Sequence, residues 1–218
     1  MTTQERFSAY ASFLLQENKK YNLTSITDPE EIQAKHFEDS LLLLDIAEIA
    51  QGASLIDIGS GAGFPGVPLG IARPDLRVTL LESAGKKAEF LRLLGVRLGL
   101  PFAVVNERAE AAAHDPVLRE QFDWALSRAV AALPVLCELC LPFLRAGGRF
   151  AAYKGTKENA MRELEQSARV LRILGAEPAG IEAAQTPYGE RTLVICRKLS
   201  QTPGNYPRNY ASMIKKPL

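Results

Sequence analysis

The chain has 218 residues, of which 47% are hydrophobic and 23% charged, so it is long enough to bury the core of one large domain. Its formal net charge of +1 excludes a strong overall attraction to nucleic acid, and any RNA contact therefore requires a local basic surface. The polar N-terminus, the short apolar runs and the three cysteines predict a cytoplasmic protein without a signal peptide, membrane span or disulfide framework. We expect a monomer, although no sequence pattern indicates the oligomeric state.

Two helices are predicted at the start of the chain. Apolar residues recur at helical spacing from residue 3 to about residue 20. A second helix begins at Asp28-Pro29, where a capping residue precedes a first-turn proline, and it extends through His36 toward Leu44. These helices predict an N-terminal helical extension (1–50) that packs on the rest of the protein.

Strand and helix patterns alternate after residue 50, which predicts a parallel sheet with helices on both faces. The last two strands are separated only by a turn, so one strand at the edge of the sheet is antiparallel. This is the strand arrangement of a Rossmann-like class I methyltransferase, a seven-stranded fold that binds S-adenosylmethionine (AdoMet). It predicts a methyltransferase core (51–200) followed by a C-terminal tail (201–218). The predicted strands are 54–58, 77–82, 102–106, 122–127, 148–153, 178–184 and 192–197, and the predicted helices begin near residue 65 and span 85–98, 133–144 and 157–174.

The segment between the first strand and its helix carries the most informative motif. Asp57 lies near the end of an apolar run, and Gly59, Gly61, Gly63 and Gly66 follow it within nine residues. Glycines permit positive φ and let a ligand approach the main chain closely. The motif therefore predicts a strand, a tight turn and a helix start that together bind a nucleotide-like ligand.

Two cofactors are compatible with this turn. Gly61, Gly63 and Gly66 match the G-x-G-x-x-G pattern of dinucleotide-binding proteins, although that match alone is weak. Asp57 argues against a pyrophosphate, because like charges repel, and favours the sulfonium and ammonium groups of AdoMet. Glu82 ends the second strand, where a carboxylate holds a ribose hydroxyl with either cofactor. We therefore predict AdoMet rather than NAD.

Ligands of open α/β sheets lie at the carboxyl ends of the strands. Arg128 follows a strand at this edge, and its apolar neighbours would bury its aliphatic stem. Cys137 and Cys140 lie instead within an apolar helical segment that has no second Cys or His pair nearby. This favours small core residues, and we expect no metal site.

A set of short segments is informative by its order and spacing along the chain. The segments are Tyr21–Thr24, Lys35–Leu41, Asp57–Gly66, Leu81–Ser83 with Lys86 and Lys87, Glu107–Glu110, Ser127–Ala129, Tyr153–Gly155, Thr202–Arg208 and Lys216–Leu218. Together they resemble the bacterial 16S rRNA (guanine-N7) methyltransferases of the RsmG/GidB-type family. The resemblance extends from about residue 5 to the end, and the departure from the family pattern lies in the tail, at residues 209–214.

The resemblance implies methyl transfer from AdoMet to N7 of a guanine in 16S rRNA, either free or in an assembling small ribosomal subunit. No catalytic base is expected, because N7 has a free lone pair and no proton to lose. The implied cofactor contacts are Gly59 and Phe64 at the methionine portion, Glu82 at the ribose, Ala109 and Glu110 at the adenine, and Arg128 near the methyl donor. Basic residues offered for RNA contact are Lys154, Arg208 and Lys86.

Three other functions stay open at this point. The first is an AdoMet methyltransferase that acts on a small molecule or a protein. The second is an NAD-dependent oxidoreductase, and the third is an RNA-binding module that uses the same fold without catalysis. Arg128 is also compatible with two contacts, the carboxylate of the cofactor or the target guanine.

Overall fold

A computed structural model describes residues 1–218, and one sheet of seven strands organises it in the order β3-β2-β1-β4-β5-β7-β6. The first five strands of this order are parallel, and β7 is antiparallel to both of its neighbours. The predicted fold class is confirmed, and the antiparallel strand lies one place inside the edge strand β6. The strands are β1 (Ser54–Ile58), β2 (Arg77–Leu81), β3 (Ala103–Val105), β4 (Phe122–Arg128), β5 (Leu144–Lys154), β6 (Ala176–Thr186) and β7 (Gly189–Lys198).

Ten α-helices accompany the sheet, and their apolar residues form one buried cluster on each of its faces. None of the helices is long and apolar enough to cross a membrane. The helices are α1 (Thr3–Tyr21), α2 (Pro29–Ile32), α3 (Asp39–Ile46), α4 (Gly66–Ala72), α5 (Gly85–Leu98), α6 (Ala109–Ala112), α7 (Leu133–Cys140), α8 (Lys157–Gln166), α9 (Ala168–Ile173) and α10 (Tyr210–Lys215).

The N-terminal helices pack directly on the core. Helix α1 starts with a capping box, in which the Thr2 hydroxyl accepts from Glu5 N while the Glu5 carboxylate accepts from Thr2 N. Tyr10 and Leu14 on this helix are fully buried. Helices α2 and α3 are joined without a break by a π-helical stretch, Gln33–Glu38, which confirms the predicted long helix but adds an irregular turn.

Several boundaries differ from the prediction for local reasons. Strand β5 begins four residues early, at Leu144, because that residue already pairs with Phe122 on β4. The helix predicted over 157–174 is two helices that meet at Ser167, whose hydroxyl donates to Glu163 O. Helices α6 and α10 escaped prediction because both are very short.

The C-terminal tail is held on the core by charged and polar contacts. Arg208 forms a two-bonded ion pair with the buried Glu138 of α7, with distances of 2.8 Å (Nε–Oε1) and 2.6 Å (Nη2–Oε2). Arg119 donates to the carbonyl groups of Thr202 and Tyr206. Met213 of α10 is fully buried in the core, so the tail is part of the packed structure.

Candidate active site

The glycine turn after β1 needs its glycines for different reasons. Gly59, Gly61 and Gly63 all have positive φ, at 72°, 59° and 104°. A Cβ at Gly63 would lie 2.7 Å from the Tyr10 hydroxyl, so this glycine is required for packing against α1. A Cβ at Gly61 would meet only the carbonyl oxygen of Gly59, at 3.9 Å. Gly61 therefore faces the open space that a ligand can enter.

Glu82 connects the turn to the end of β2. One of its carboxylate oxygens accepts from Gly61 N at 2.9 Å, and the other accepts from Ala84 N at 2.7 Å. Asn106 donates to the Glu82 carbonyl oxygen at 2.8 Å. Both oxygens of the Glu82 carboxylate therefore accept from main-chain N–H groups, and these two hydrogen bonds fix the carboxylate beside the turn.

Asp57 lies beneath the same turn and is fully buried. Its Oδ2 accepts from Gly66 N at 3.0 Å, whereas Oδ1 has no hydrogen-bond partner. Burial raises the pKa of Asp57 to about 7, against the lowering effects of the Gly66 hydrogen bond and the Arg128 charge. A buried carboxyl with one oxygen unpartnered favours a nearby positive charge, which suits a cationic ligand.

A cavity of about 170 Å³ opens beside the turn, and we name it the glycine-side cavity. It confirms that the ends of β1, β2 and β4 meet at one place, and it brings together three of the predicted cofactor residues, Gly59, Ala109 and Glu110. Its lining is completed by Ile58, Leu81, Ser83, Glu107, Arg108, Val130, Leu139 and Tyr210.

A second cavity, of about 440 Å³, lies on the other side of residues 128–131, and we name it the arginine-side cavity. Ala129, at a φ of 57°, turns the chain so that Val130 lines the first cavity while Arg128 and Ala131 line the second. The arginine-side lining is Ile26, Lys35, His36, Asp39, Arg128, Ala129, Ala131, Tyr153, Lys154, Gly155, Arg191, Thr192 and Leu193.

Arg128 is held by residues of the N-terminal helices. Its guanidinium donates to Asp39 Oδ2 at 2.7 Å and to Lys35 O at 3.3 Å, and it lies 3.2 Å from His36 Nδ1. Arg191 of β7 approaches the other Asp39 oxygen at 3.0 Å. Asp39 is 5% exposed, so two arginines enclose a buried carboxylate at the wall of this cavity.

Comparison with known proteins identifies the chain. The sequence model of the GidB family, described as rRNA small subunit methyltransferase G, matches residues 3–194. The chain belongs to the GidB family. Ribosomal RNA small subunit methyltransferase G of Desulfitobacterium hafniense is 46% identical over 98% of this chain and 89% of its own length. Its namesake from Pelotomaculum thermopropionicum is 44% identical over 98% of this chain and 90% of its own length. The resemblance seen in the motifs is thereby confirmed.

Solved structures support the fold of this GidB family member. TrmN from Thermus thermophilus superposes with a TM-score of 0.57 at 17% identity, covering 73% of this chain and 48% of TrmN. The T. thermophilus 16S rRNA N2 G1207 methyltransferase RsmC, solved with AdoMet and guanosine, superposes with a TM-score of 0.52 at 19% identity. That match covers 78% of this chain and 42% of RsmC. At these identities the likeness concerns the fold alone.

Phe64 has a different position in this GidB chain from the one we predicted. It lines neither cavity, because its ring stacks on His36 with centroids 4.3 Å apart and on Tyr10 at 5.3 Å. The Arg128 guanidinium lies 4.9 Å from its ring centroid. The turn directs the Phe64 side chain toward the core, where its ring packs against His36 and Arg128.

The three basic residues predicted for RNA contact lie in three different environments. Lys154 lines the arginine-side cavity, where its ammonium group pairs with Glu163 at 2.7 Å. Lys86 is exposed on α5. Arg208 corrects the prediction, because its guanidinium is occupied by Glu138 and it anchors the tail.

The sequence also contained site residues that the motifs did not indicate. Asp39 entered the sequence analysis only as part of the segment Lys35–Leu41, yet Arg128 and Arg191 enclose it. Arg191 and Tyr210 come from a hairpin strand and from the tail, and no local pattern marked either of them. Cys137 and Cys140 are buried, as expected for core residues, and Cys196 is buried as well. The structure contains no group of three His, Cys, Asp or Glu side chains that could hold a metal ion.

Proposed function

We propose that this protein transfers a methyl group from AdoMet to N7 of a guanine in the 16S rRNA of the small ribosomal subunit. One observation carries the proposal: two cavities, one fit for a nucleoside and one rich in charge, adjoin at residues 128–131 behind a glycine turn. Membership of the GidB family supports rRNA as the substrate. The fold of the solved neighbours, among them one that binds AdoMet, supports the cofactor.

The glycine turn beside the glycine-side cavity fits AdoMet by two observations. Gly61 leaves space for a ligand, and Asp57 has a buried oxygen without a partner. In this proposal Gly59 and Gly61 admit the cofactor to the main chain, Glu82 holds a ribose hydroxyl, and Ala109 and Glu110 bound the adenine. Asp57, Gly63 and Phe64 act through the shape and charge of the turn. When bound, AdoMet would supply an electrophilic methyl group.

The arginine-side cavity would receive the guanine. N7 lies on the Hoogsteen edge, which is inaccessible in a paired A-form helix, so the base must be unpaired when it enters. Arg128 lines this cavity and not the glycine-side cavity, which favours guanine contact over the cofactor carboxylate. Its role is to fix the base so that N7 points toward the junction of the two cavities.

The chemistry requires no general base from the protein. Burial and the Arg128 charge lower the pKa of His36 to about 4, so this histidine is neutral at pH 7. A neutral His36 stacked on Phe64 serves to hold Arg128, which it contacts through Nδ1. Catalysis is then the alignment of two bound molecules in a site built for positioning.

The test is methyl transfer from labelled AdoMet to 16S rRNA from cells that lack this protein. Naked rRNA and small ribosomal subunits should be assayed in parallel, since either form could be the substrate in the cytoplasm. Digestion to nucleosides should place the label in 7-methylguanosine. Label on another guanine atom would contradict the N7 proposal, and label only in protein or small molecules would replace rRNA as the substrate.

A further inference from the structure

Part of the lining of the glycine-side cavity comes from outside the region that the family's sequence model matches. The matched region ends at residue 194, whereas Tyr210 is the first residue of α10 in the tail. Tyr210 lines the cavity together with Gly59, Val130 and Leu139. The cavity is therefore incomplete without the tail.

The ring of Tyr210 is held at a fixed place. Asn209 caps α10 by accepting from Ser212 N at 2.9 Å, and Arg208 next to it grips Glu138 on α7. Further along the helix, Met213 is fully buried. Since Glu138 precedes the cavity residue Leu139, α7 both holds the tail and contributes to the lining of the cavity.

A cation also lies against the ring. The Arg108 guanidinium is 5.3 Å from the Tyr210 ring centroid, and Arg108 Nε lies 3.2 Å from Glu110 Oε1. Arg108, Glu110 and Tyr210 thus form one connected group at the mouth of the cavity. Such a group presents a flat aromatic surface with a nearby donor and acceptor, which are the features that bind a purine.

We infer that Tyr210 binds the cofactor. The adenine base of the cofactor packs against the Tyr210 ring inside the glycine-side cavity. The inference rests on the proposed function and adds a residue of the C-terminal tail to the cofactor site. It assigns a ligand contact to a segment that departs from the usual family pattern.

The experiment compares Tyr210→Leu and Tyr210→Phe with the wild-type protein by calorimetric titration of AdoMet and of 5′-methylthioadenosine, which carries adenosine without the amino acid. Leucine keeps apolar volume but removes the aromatic face, so we expect both dissociation constants to rise about tenfold. Phenylalanine keeps the face and should stay within about twofold. Ile214→Ala, at a residue of α10 that is 52% exposed, is the matched control and should bind as wild type.

Thermal unfolding separates a ligand contact from a structural effect. The melting temperature of Tyr210→Leu should match that of Tyr210→Phe, so that the two variants differ in affinity alone. Unchanged affinity in Tyr210→Leu would overturn the inference and leave the proposed function intact. Failure of the wild-type protein to bind AdoMet would instead remove the proposed function, and the inference with it.

Discussion

The two cavities adjoin each other but are lined by different kinds of residues. The glycine-side cavity is bounded by main chain and apolar side chains such as Val130 and Leu139, with its acidic groups at the rim. The arginine-side cavity contains Lys35, Asp39 and Arg191 around a larger space. A flat nucleoside with a defined shape suits the first, and a base attached to a charged RNA backbone suits the second.

The difference follows from the strands that supply each wall. Parallel strands β1, β2 and β4 end at the glycine-side cavity, and each is followed by a turn whose main chain is accessible. The arginine-side cavity lies where β7 runs antiparallel to β5, which brings Arg191 from the hairpin beside Asp39. One reversed strand therefore gives the sheet a charged site next to its nucleoside site.

The largest effect is expected for Gly61→Asp, which would place a carboxylate in the ligand space and close to Glu82. AdoMet affinity should fall by about a hundredfold or more, because the new side chain fills the ligand space and, at the positive φ of this position and beside the Glu82 carboxylate, distorts the turn. The control is Gly52→Asp, since Gly52 also has a positive φ of 69° and open space but lies at the opposite end of the strands. Equal titration curves for the two variants would mean that the turn has only a structural role.

Arg128→Met should separate the two cavities functionally. We expect the single-turnover rate to fall about a hundredfold while AdoMet affinity changes less than about threefold, since the guanidinium faces the arginine side. Arg145→Met is the control. Arg145 also pairs with an aspartate but lies at the start of β5, away from both cavities, so this variant should leave the single-turnover rate and the AdoMet affinity unchanged. If affinity for AdoMet falls as far as the rate, Arg128 binds the cofactor instead.

Asp57→Asn tests the buried charge on the glycine side. Because the folded pKa is raised to about 7, the wild-type protein loses stability as pH rises from about 4 to 7, by an amount on the order of 3–4 kcal/mol. Asparagine should remove this loss, so the variant gains stability relative to wild type at pH 8 and binds the cationic cofactor more weakly.

Urea unfolding at pH 5, 6 and 8 measures this difference. The free energy of unfolding of the variant is subtracted from that of the wild type at each pH, because His36 changes stability with pH in the opposite direction in both proteins. Its folded pKa is lowered to about 4, so its contribution to stability falls as pH decreases from about 6.5 to 4. A difference curve that is flat with pH would show that Asp57 stays ionised in the folded protein.

The smallest effect is expected for His36→Gln, because a neutral His36 only supports Arg128. Single-turnover rates at saturating AdoMet should fall less than about fivefold and should show no ascending limb between pH 6 and 8 in either protein. A rate that rises tenfold through this range in the wild type, and is lost in the variant, would establish His36 as a base and refute the N7 mechanism.

The parts that sequence predicted well are those with local causes. The turn after β1 and the ends of β1 and β2 follow from short patterns of glycine, apolar residues and a terminal carboxylate, and Glu82 lies where expected. The direction of Phe64 was not predictable, since it depends on His36 and Tyr10 from a distant part of the chain. For the same reason Arg208 was assigned to RNA: its partner, Glu138, is 70 residues away in sequence.

The π-helical stretch Gln33–Glu38 has a consequence for how this gene can change. A π-helical turn accommodates one extra residue in a helix, so the loss of one codon here would leave a regular α-helix. The α-helical residues on either side would keep nearly the same relative orientation, because the wider turn had absorbed the extra residue. The deletion would remove the wide turn itself. In and directly after this turn, the Lys35 carbonyl oxygen and the Asp39 carboxylate accept from Arg128, so a length change that the fold tolerates would separate folding from activity.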